Sequence, residues 1–216
     1  MKATPKTSES NLDSIEEDNI EQIAKNLRVT CLEISSRCKI PHLGSCLSCV
    51  DILAVLYWKF LNISPVDPLN KTRDRFLLSK GHASPILIQL LAYKGFIPMS
   101  ELEKFGKDGT YLHEHPPRPG LIPGIEAATG SLGHGFSMGL GMAAAAKILK
   151  YDYSVYALLG DGECNEGVIW ECAMLAASMK QNNFTAIIDY NKWQATGRSN
   201  EILKIKPLDI QDIGNG

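Results

Sequence analysis

The stretch from Val155 to Asn191, VYALLGDGECNEGVIWECAMLAASMKQNNFTAIIDYN, carries the pattern that decides the fold. Val155 to Leu159 is a short apolar run with the length and composition of a buried strand. Gly160-Asp161-Gly162-Glu163 reads as a turn, since glycine and aspartate favour tight turns. Gly167 to Lys180 has the length of a helix, and Thr185 to Tyr190 (TAIIDY) reads as a second buried strand. Strand, helix and strand in that order imply a right-handed parallel βαβ unit, so the fold class is α/β.

Open α/β sheets bind ligands at the C-terminal ends of their strands. Asp161 and Asn191 each lie just past one strand of the same unit. If those strands are neighbours, a carboxylate and an amide oxygen converge on one point. One carboxylate with neutral oxygens and a bound phosphate suits Mg²⁺ or Ca²⁺, which are hard cations that take oxygen ligands. Gly160 and Gly162 have no Cβ, so a phosphate can approach the backbone amides closely. The plainer reading is a tight turn with Asn191 as a cap. The pairing of the two positions on flanking strands favours the site.

Upstream, Gly139 to Leu149 sits in a small-residue apolar helix over 136–149. Before it, Gly106 to Gly135 is a loop of about 30 residues, rich in Pro, His and Gly, and loops of that length are usually functional or disordered. Ser100-x-x-Glu103 has the spacing of a capping box opening a short helix. Arg75 to Ser79 is an apolar strand, Gly81 to Ser84 its turn, and Pro85 suits the first turn of the helix that follows. Ser48 to Leu61 reads as a helix apolar nearly all round. Ile15 to Cys38 reads as another, with Ile20, Ile23, Ala24, Leu27, Cys31 and Ile34 on one face and Pro41 beyond its end. Residues 1–14 read as a disordered polar tail, which leaves residues 15–216 as one domain.

Composition narrows the function. The 216 residues are 44% hydrophobic and 21% charged, with a formal net charge of −2. That balance gives no electrostatic reason for nucleic acid or an anionic membrane as partner. The N-terminus lacks the apolar core of a secretory signal, and no apolar run spans a bilayer. The six cysteines sit in apolar surroundings and read as reduced thiols of a cytoplasmic protein. Cys38, His42, Cys46 and Cys49 are spaced so that one loop could present four zinc ligands. Packing as small hydrophobes is the preferred reading of those cysteines.

GDGECNEG, then a helix, then IIDYNKWQATG resembles the thiamine-diphosphate motif of transketolases. PHLGSCLSCVDILAVLYW is similar to the first histidine-containing segment of that family, LLSKGHAS to its second and PGIEAATGSLGHG to its third. These segments cover about residues 20–205 in family order. The resemblance implies a three-layer α/β/α fold with a mainly parallel sheet, binding thiamine diphosphate and Mg²⁺ or Ca²⁺. It implies that Asp161, Asn191 and the Trp193 carbonyl hold the metal, with Gly160 and Gly162 at the diphosphate. Gly130 and Leu132 would lie against the aminopyrimidine. His82 would stand near the diphosphate or the reacting carbon, and His42 and His115 would bond the hydroxyls or carbonyl of a ketose donor. Glu166 would join an acidic network between the two cofactor sites of a dimer. His113 and His134 gain no role from their contexts.

The family's catalytic glutamate lies in a separate pyrimidine-binding domain, which these motifs do not include. The implied activity is therefore that of the N-terminal subunit of a split transketolase, moving a two-carbon ketol unit between ketose and aldose phosphates. Its partner would be a C-terminal, pyrimidine-binding subunit in a hetero-oligomer built on a dimer. The family's diphosphate domain normally continues beyond the position matched by Gly216, so the domain reads as C-terminally short. A related carboligase of specialised metabolism and a truncated non-catalytic homologue are the alternatives.

Overall fold

Period-two alternation along three short strands sorts the chain into two cores. The computed structural model describes residues 19–204. The tail expected over 1–14, the residues from Ile15 to Asp18 and the end of the domain from 205 to 216 lie outside them. Strands β1 (Arg75–Leu78), β2 (Val155–Gly160) and β3 (Phe184–Asp189) form a parallel sheet in the order β1-β2-β3. The register aligns Leu78 with Leu158 and Leu158 with Ile187, and brings Gly160 opposite Asp189.

Phe76, Leu78 and Leu158 point to one face, where they meet helices α1 (Ile20–Cys38), α2 (Leu43–Ser48), α3 (Val50–Val55) and α4 (Ser84–Tyr93). Leu77, Val155, Ala157 and Leu159 point to the other, against Phe136 and Ala143 of α5 (His134–Leu149) and Ile169 of α6 (Gly167–Ser178). Alternate residues of a strand face opposite sides of the sheet, so helices cover both faces and the result is a three-layer α/β/α arrangement. No helix among the described residues is long and apolar enough to cross a membrane.

Helix α1 begins at Asn19, whose side chain accepts the Gln22 amide at 2.9 Å, and ends at Lys39 in the left-handed region. Its buried stripe is Ile23, Ala24, Leu27, Cys31 and Ile34. Leu27 is fully buried, and truncating such a residue to alanine costs about 2–5 kcal/mol.

Several elements differ from the sequence expectations. The helix expected from Ser48 starts at Leu43, breaks at Cys49 and ends as a π-helical turn over Leu56–Phe60. It also exposes Phe60, because the turn carries that ring away from the core. The segment at Ser100 is a 3₁₀ helix, Met99–Lys104, with Pro98 at its cap position and no side-chain cap bond. The expected reciprocal box does not form there. Strands β1 and β3 are both edge strands among the described residues, but β1 is buried whereas β3 is only half buried, with Thr185 and Ala186 exposed.

The loop from Phe105 to Gly133 is long, as expected, and it is pinned rather than loose. Leu112 and Ile122 are fully buried and Ile125 nearly so.

Candidate functional site

All three strands end on one side of the sheet, and the loops leaving them enclose a cleft of 740 Å³. His42, His82 and His115 line it together with Gly130, Leu132, Gly160, Gly162, Asn191 and Trp193. These are residues that the sequence placed in four separate segments. Parallel strands deliver His82, Gly160, Gly162, Asn191 and Trp193 to the same edge, while the α1–α2 turn brings His42 and the long loop before α5 brings His115, Gly130 and Leu132.

Asp161 lies beneath this lining, 2% exposed. Its Oδ2 accepts the Lys192 amide at 3.1 Å. Its Oδ1 is buried and has no hydrogen-bond partner among the described residues. An unpaired buried carboxylate oxygen is costly unless a cation or donor meets it. Asn191 sits across from it: Oδ1 accepts the Trp193 amide at 2.9 Å, and Nδ2 donates to Asp189 Oδ2 at 3.3 Å. An amide oxygen carries two lone pairs, so Asn191 keeps one for a second contact. This donor set of carboxylate, amide and backbone carbonyl oxygens fits a hard divalent cation.

Lys192, between Asn191 and Trp193, has φ of 68°. That left-handed conformation is uncommon outside glycine and reverses the chain so that its amide meets Asp161. Trp193 then pairs with Arg198 in a two-strand hairpin, β4 (Trp193–Gln194) and β5 (Gly197–Arg198). A Cβ on Gly162 would stand 2.6 Å from Gln194 Cγ, so the Gln194 side chain packs against this glycine where the hairpin rests on the Asp161 turn.

His82 belongs to a 3₁₀ turn, Gly81–Ala83, that follows β1. His42 caps α2 with φ of 64°, and its ring lies 5.3 Å from that of His82. Burial, the nearby Lys80 charge and the neighbouring His42 and His115 push the His82 imidazole down to about 4. Asp189 opposes the shift. His82 is therefore neutral at physiological pH and can accept a proton or a hydrogen bond.

Sequence reasoning missed four residues of this site: Ser48, Lys80, Glu163 and Asp189. Lys80 is fully buried, and its Nζ donates to Asp189 Oδ2 at 2.5 Å and to the Ser45 carbonyl at 3.0 Å. Ser48 donates to the same Asp189 oxygen at 2.5 Å. Glu163 is 2% exposed and accepts from Ser79 Oγ, from the Gly133 amide at 2.8 Å and from the Gly160 amide at 3.2 Å. Burial pushes its carboxyl up, against those three hydrogen bonds. The signal for Lys80 and Asp189 was present: opposite charges each directly follow or end an apolar strand.

Glu166, expected between two cofactor sites rather than in this cleft, and the two histidines without an expected role lie outside the lining. Glu166 is exposed at the head of α6 and does not line the cleft. His134 is exposed at the start of α5. His113 lies beside a neighbouring hollow, with Cys38 and His115. The four zinc candidates do not assemble. Cys46 and Cys49 are buried in the apolar core, while Cys38 donates to the Phe105 carbonyl and His42 faces the cleft. Among the described residues no three His, Cys, Asp or Glu side chains are grouped to hold a metal.

Residues 19–205 match the family described as transketolase, thiamine diphosphate binding domain. The chain is 40% identical over 191 residues to a subunit of apulose-4-phosphate transketolase from Phocaeicola vulgatus, covering 88% of this chain and 67% of that one. It is 38% identical to 6-deoxy-6-sulfo-D-fructose transketolase subunit SqwG of a Clostridium species, covering 88% and 69%. Human transketolase is 39% identical over 175 residues, but the match spans only 28% of that protein. Among solved structures, transketolase from Leishmania mexicana superposes with a TM-score of 0.78 at 30% identity, over 85% of this chain and 29% of that one. Four motifs that converge on one cleft and a match across nearly all described residues agree: this chain belongs to the transketolase family, as its N-terminal, thiamine-diphosphate-binding portion.

Proposed function

We propose that this chain is the thiamine-diphosphate-binding subunit of a split transketolase, a transferase that moves a two-carbon ketol unit from a ketose to an aldose. The relatives named as transketolase subunits support the reading, as does their extent, of which this chain spans about two thirds. The observation that carries it is Asp161 Oδ1, buried and without a hydrogen-bond partner among the described residues, under a cleft rimmed by three histidines.

In this reading Asp161, Asn191 and the Trp193 carbonyl would hold Mg²⁺ or Ca²⁺, which would supply positive charge for the cofactor diphosphate. Gly160 and Gly162 leave their peptide groups open to that diphosphate. Gly130 and Leu132 form the wall for the ring end. When bound, thiamine diphosphate supplies the carbanion and the electron sink of ketol transfer. The chain's task is to bind, orient and handle protons. Neutral His82 accepts a proton or hydrogen bond near the reacting centre, and His42 and His115 bind hydroxyls of a ketose donor, phosphorylated or similarly anionic.

A pyrimidine-binding partner chain completes the site. Exposed apolar side chains on α5 and α6 (Met138, Trp170, Met174, Leu175) support a covering surface, since patches of this kind mark interfaces. Glu166, exposed at the head of α6, is placed in this reading at the contact between two cofactor sites. The hetero-oligomer is built on a dimer and resides in the cytoplasm, where the six free thiols stay reduced.

The test is calorimetric titration of thiamine diphosphate with Mg²⁺, for the chain alone and mixed with a candidate partner. Metal-dependent binding that disappears in Asp161→Ala is the expected result. No binding under either condition, with both chains folded, would overturn the proposal in favour of a non-catalytic homologue.

A further inference from the structure

Glu163 joins three segments at one carboxylate, beside the β1–β2 pairing and the hydrogen bond from Thr129 Oγ1 to the Leu78 carbonyl at 2.6 Å. One carboxylate oxygen accepts Ser79 Oγ and the Gly133 amide, and the other accepts the Gly160 amide. Ser79 Oγ in turn accepts the Phe136 amide at 3.0 Å, in the first turn of α5. Each partner stands next to residues of the cleft. Ser79 precedes Lys80 and His82, Gly133 follows Gly130 and Leu132, and Gly160 precedes Asp161.

The fit is tight around these contacts. A Cβ on Gly133 would stand 2.3 Å from Val168 Cγ1, and one on Gly135 would stand 2.6 Å from Ser79 Cα. The loop bearing Gly130 and Leu132 is thus pressed onto both β1 and α6, with Glu163 at the centre. An ionised carboxylate is acceptor-only, so it meets three donors without presenting a hydrogen of its own. A glutamine would turn one acceptor into a donor facing another donor.

We propose that Glu163 is a positioning residue that holds the loop of Gly130 and Leu132 at a fixed distance from the turn of Gly160 to Gly162. The site then binds the ring end and the diphosphate end of one molecule together. The inference rests on the cofactor reading above. It assigns Glu163 no contact with the reacting atoms, and its effect passes through backbone placement.

Two probes separate the ends: inorganic diphosphate with Mg²⁺, and thiamine diphosphate with Mg²⁺. Each is titrated calorimetrically into the full chain. The wild type should bind thiamine diphosphate more tightly than diphosphate. Glu163→Gln should keep its diphosphate affinity and lose ~10-fold or more of its preference for the whole cofactor, the scale seen when residues that orient a site are removed. Amide exchange at Gly133 and Phe136 should quicken in the same variant. Ser79→Ala, which removes one arm and leaves the carboxylate, should move both readouts in the same direction by less, and serves if Glu163→Gln does not fold.

A folded variant that retains the wild-type preference, or loses both affinities equally, would overturn the positioning role. Wild type that binds diphosphate with no gain from the thiamine portion would also overturn it. Wild type that binds neither probe, alone or mixed with the partner chain, would overturn the cofactor reading itself, and the positioning role with it.

Discussion

Lys80 and Asp189 form a buried ion pair that joins the ends of two strands which do not touch each other. Lys80 lies two residues past β1, Asp189 ends β3, and β2 runs between them. The pair therefore closes over the end of the central strand, directly beside Asp161. Two ions taken out of water carry a large desolvation cost, which their attraction offsets only with good geometry and further hydrogen bonds. Ser48 and the Ser45 carbonyl supply those bonds here.

Removing one partner leaves the other charge buried and alone. Lys80→Met should lower the free energy of unfolding by about 3–5 kcal/mol, and Asp189→Asn should cost a similar amount. The double variant should be much less destabilised than the sum. Chemical denaturation of all four proteins checks this, and strictly additive losses would mean the two groups do not interact.

His82 makes stability depend on pH. In the unfolded chain its imidazole takes up a proton near the ordinary value of 6.5, whereas in the folded chain it does so only near 4. Between those values the unfolded state binds more protons, so stability rises with pH across that window and falls on acidification. His82→Gln should flatten this part of the profile. A His82 ring resonance titrating near 6.5 in the folded protein would contradict the burial argument.

Two glycines should respond in opposite ways to an added methyl group. Gly133 has φ of 84° and Val168 against it, so Gly133→Ala should destabilise by about 1–3 kcal/mol. Gly141 is exposed on α5 with open space where a Cβ would go. Gly141→Ala should stabilise the isolated chain by about 0.5–1 kcal/mol, because alanine loses less entropy in a helix. If the α5 face meets a partner, the same change should weaken that assembly. Thermal unfolding and sedimentation of the mixture read the two effects separately.

Lys192 holds a left-handed conformation where its amide reaches Asp161. Lys192→Gly should preserve metal-dependent cofactor binding, whereas Lys192→Ile should weaken it and destabilise the fold by about 1–2 kcal/mol. Equal binding by both variants would remove the strain from the account of the site.

Much of the fold was legible because its strands carry apolar residues in runs of strand length, with glycine just past β2. Leu77 to Leu78 and Val155 to Leu159 face packed helices on both sides, so an unbroken apolar run is what a parallel strand covered on both faces needs. The same rule misled at β3, where Thr185 and Ala186 read as buried yet are exposed. Sequence pattern reports what a strand can bury, and only topology says what covers it.

The site was legible where residue type and strand end coincide, as at Asp161 and Asn191. Three charged residues escaped because a charge beside a turn ordinarily reads as solvated. Lys80, Glu163 and Asp189 are buried instead, each satisfied by a partner at least 30 residues away in sequence. The start of α2 was missed because Pro41 and Gly44 flank it like breakers, while His42 takes the left-handed turn that admits the helix.

The three anchors of the loop between Phe105 and Gly133 divide its labour. Leu112, Ile122 and Ile125 are sunk in the core, whereas His113 and Glu114 between the first two are exposed. Substitution at the exposed tips leaves the anchors in place, so the wall of the neighbouring hollow can be altered without disturbing the sheet beneath it.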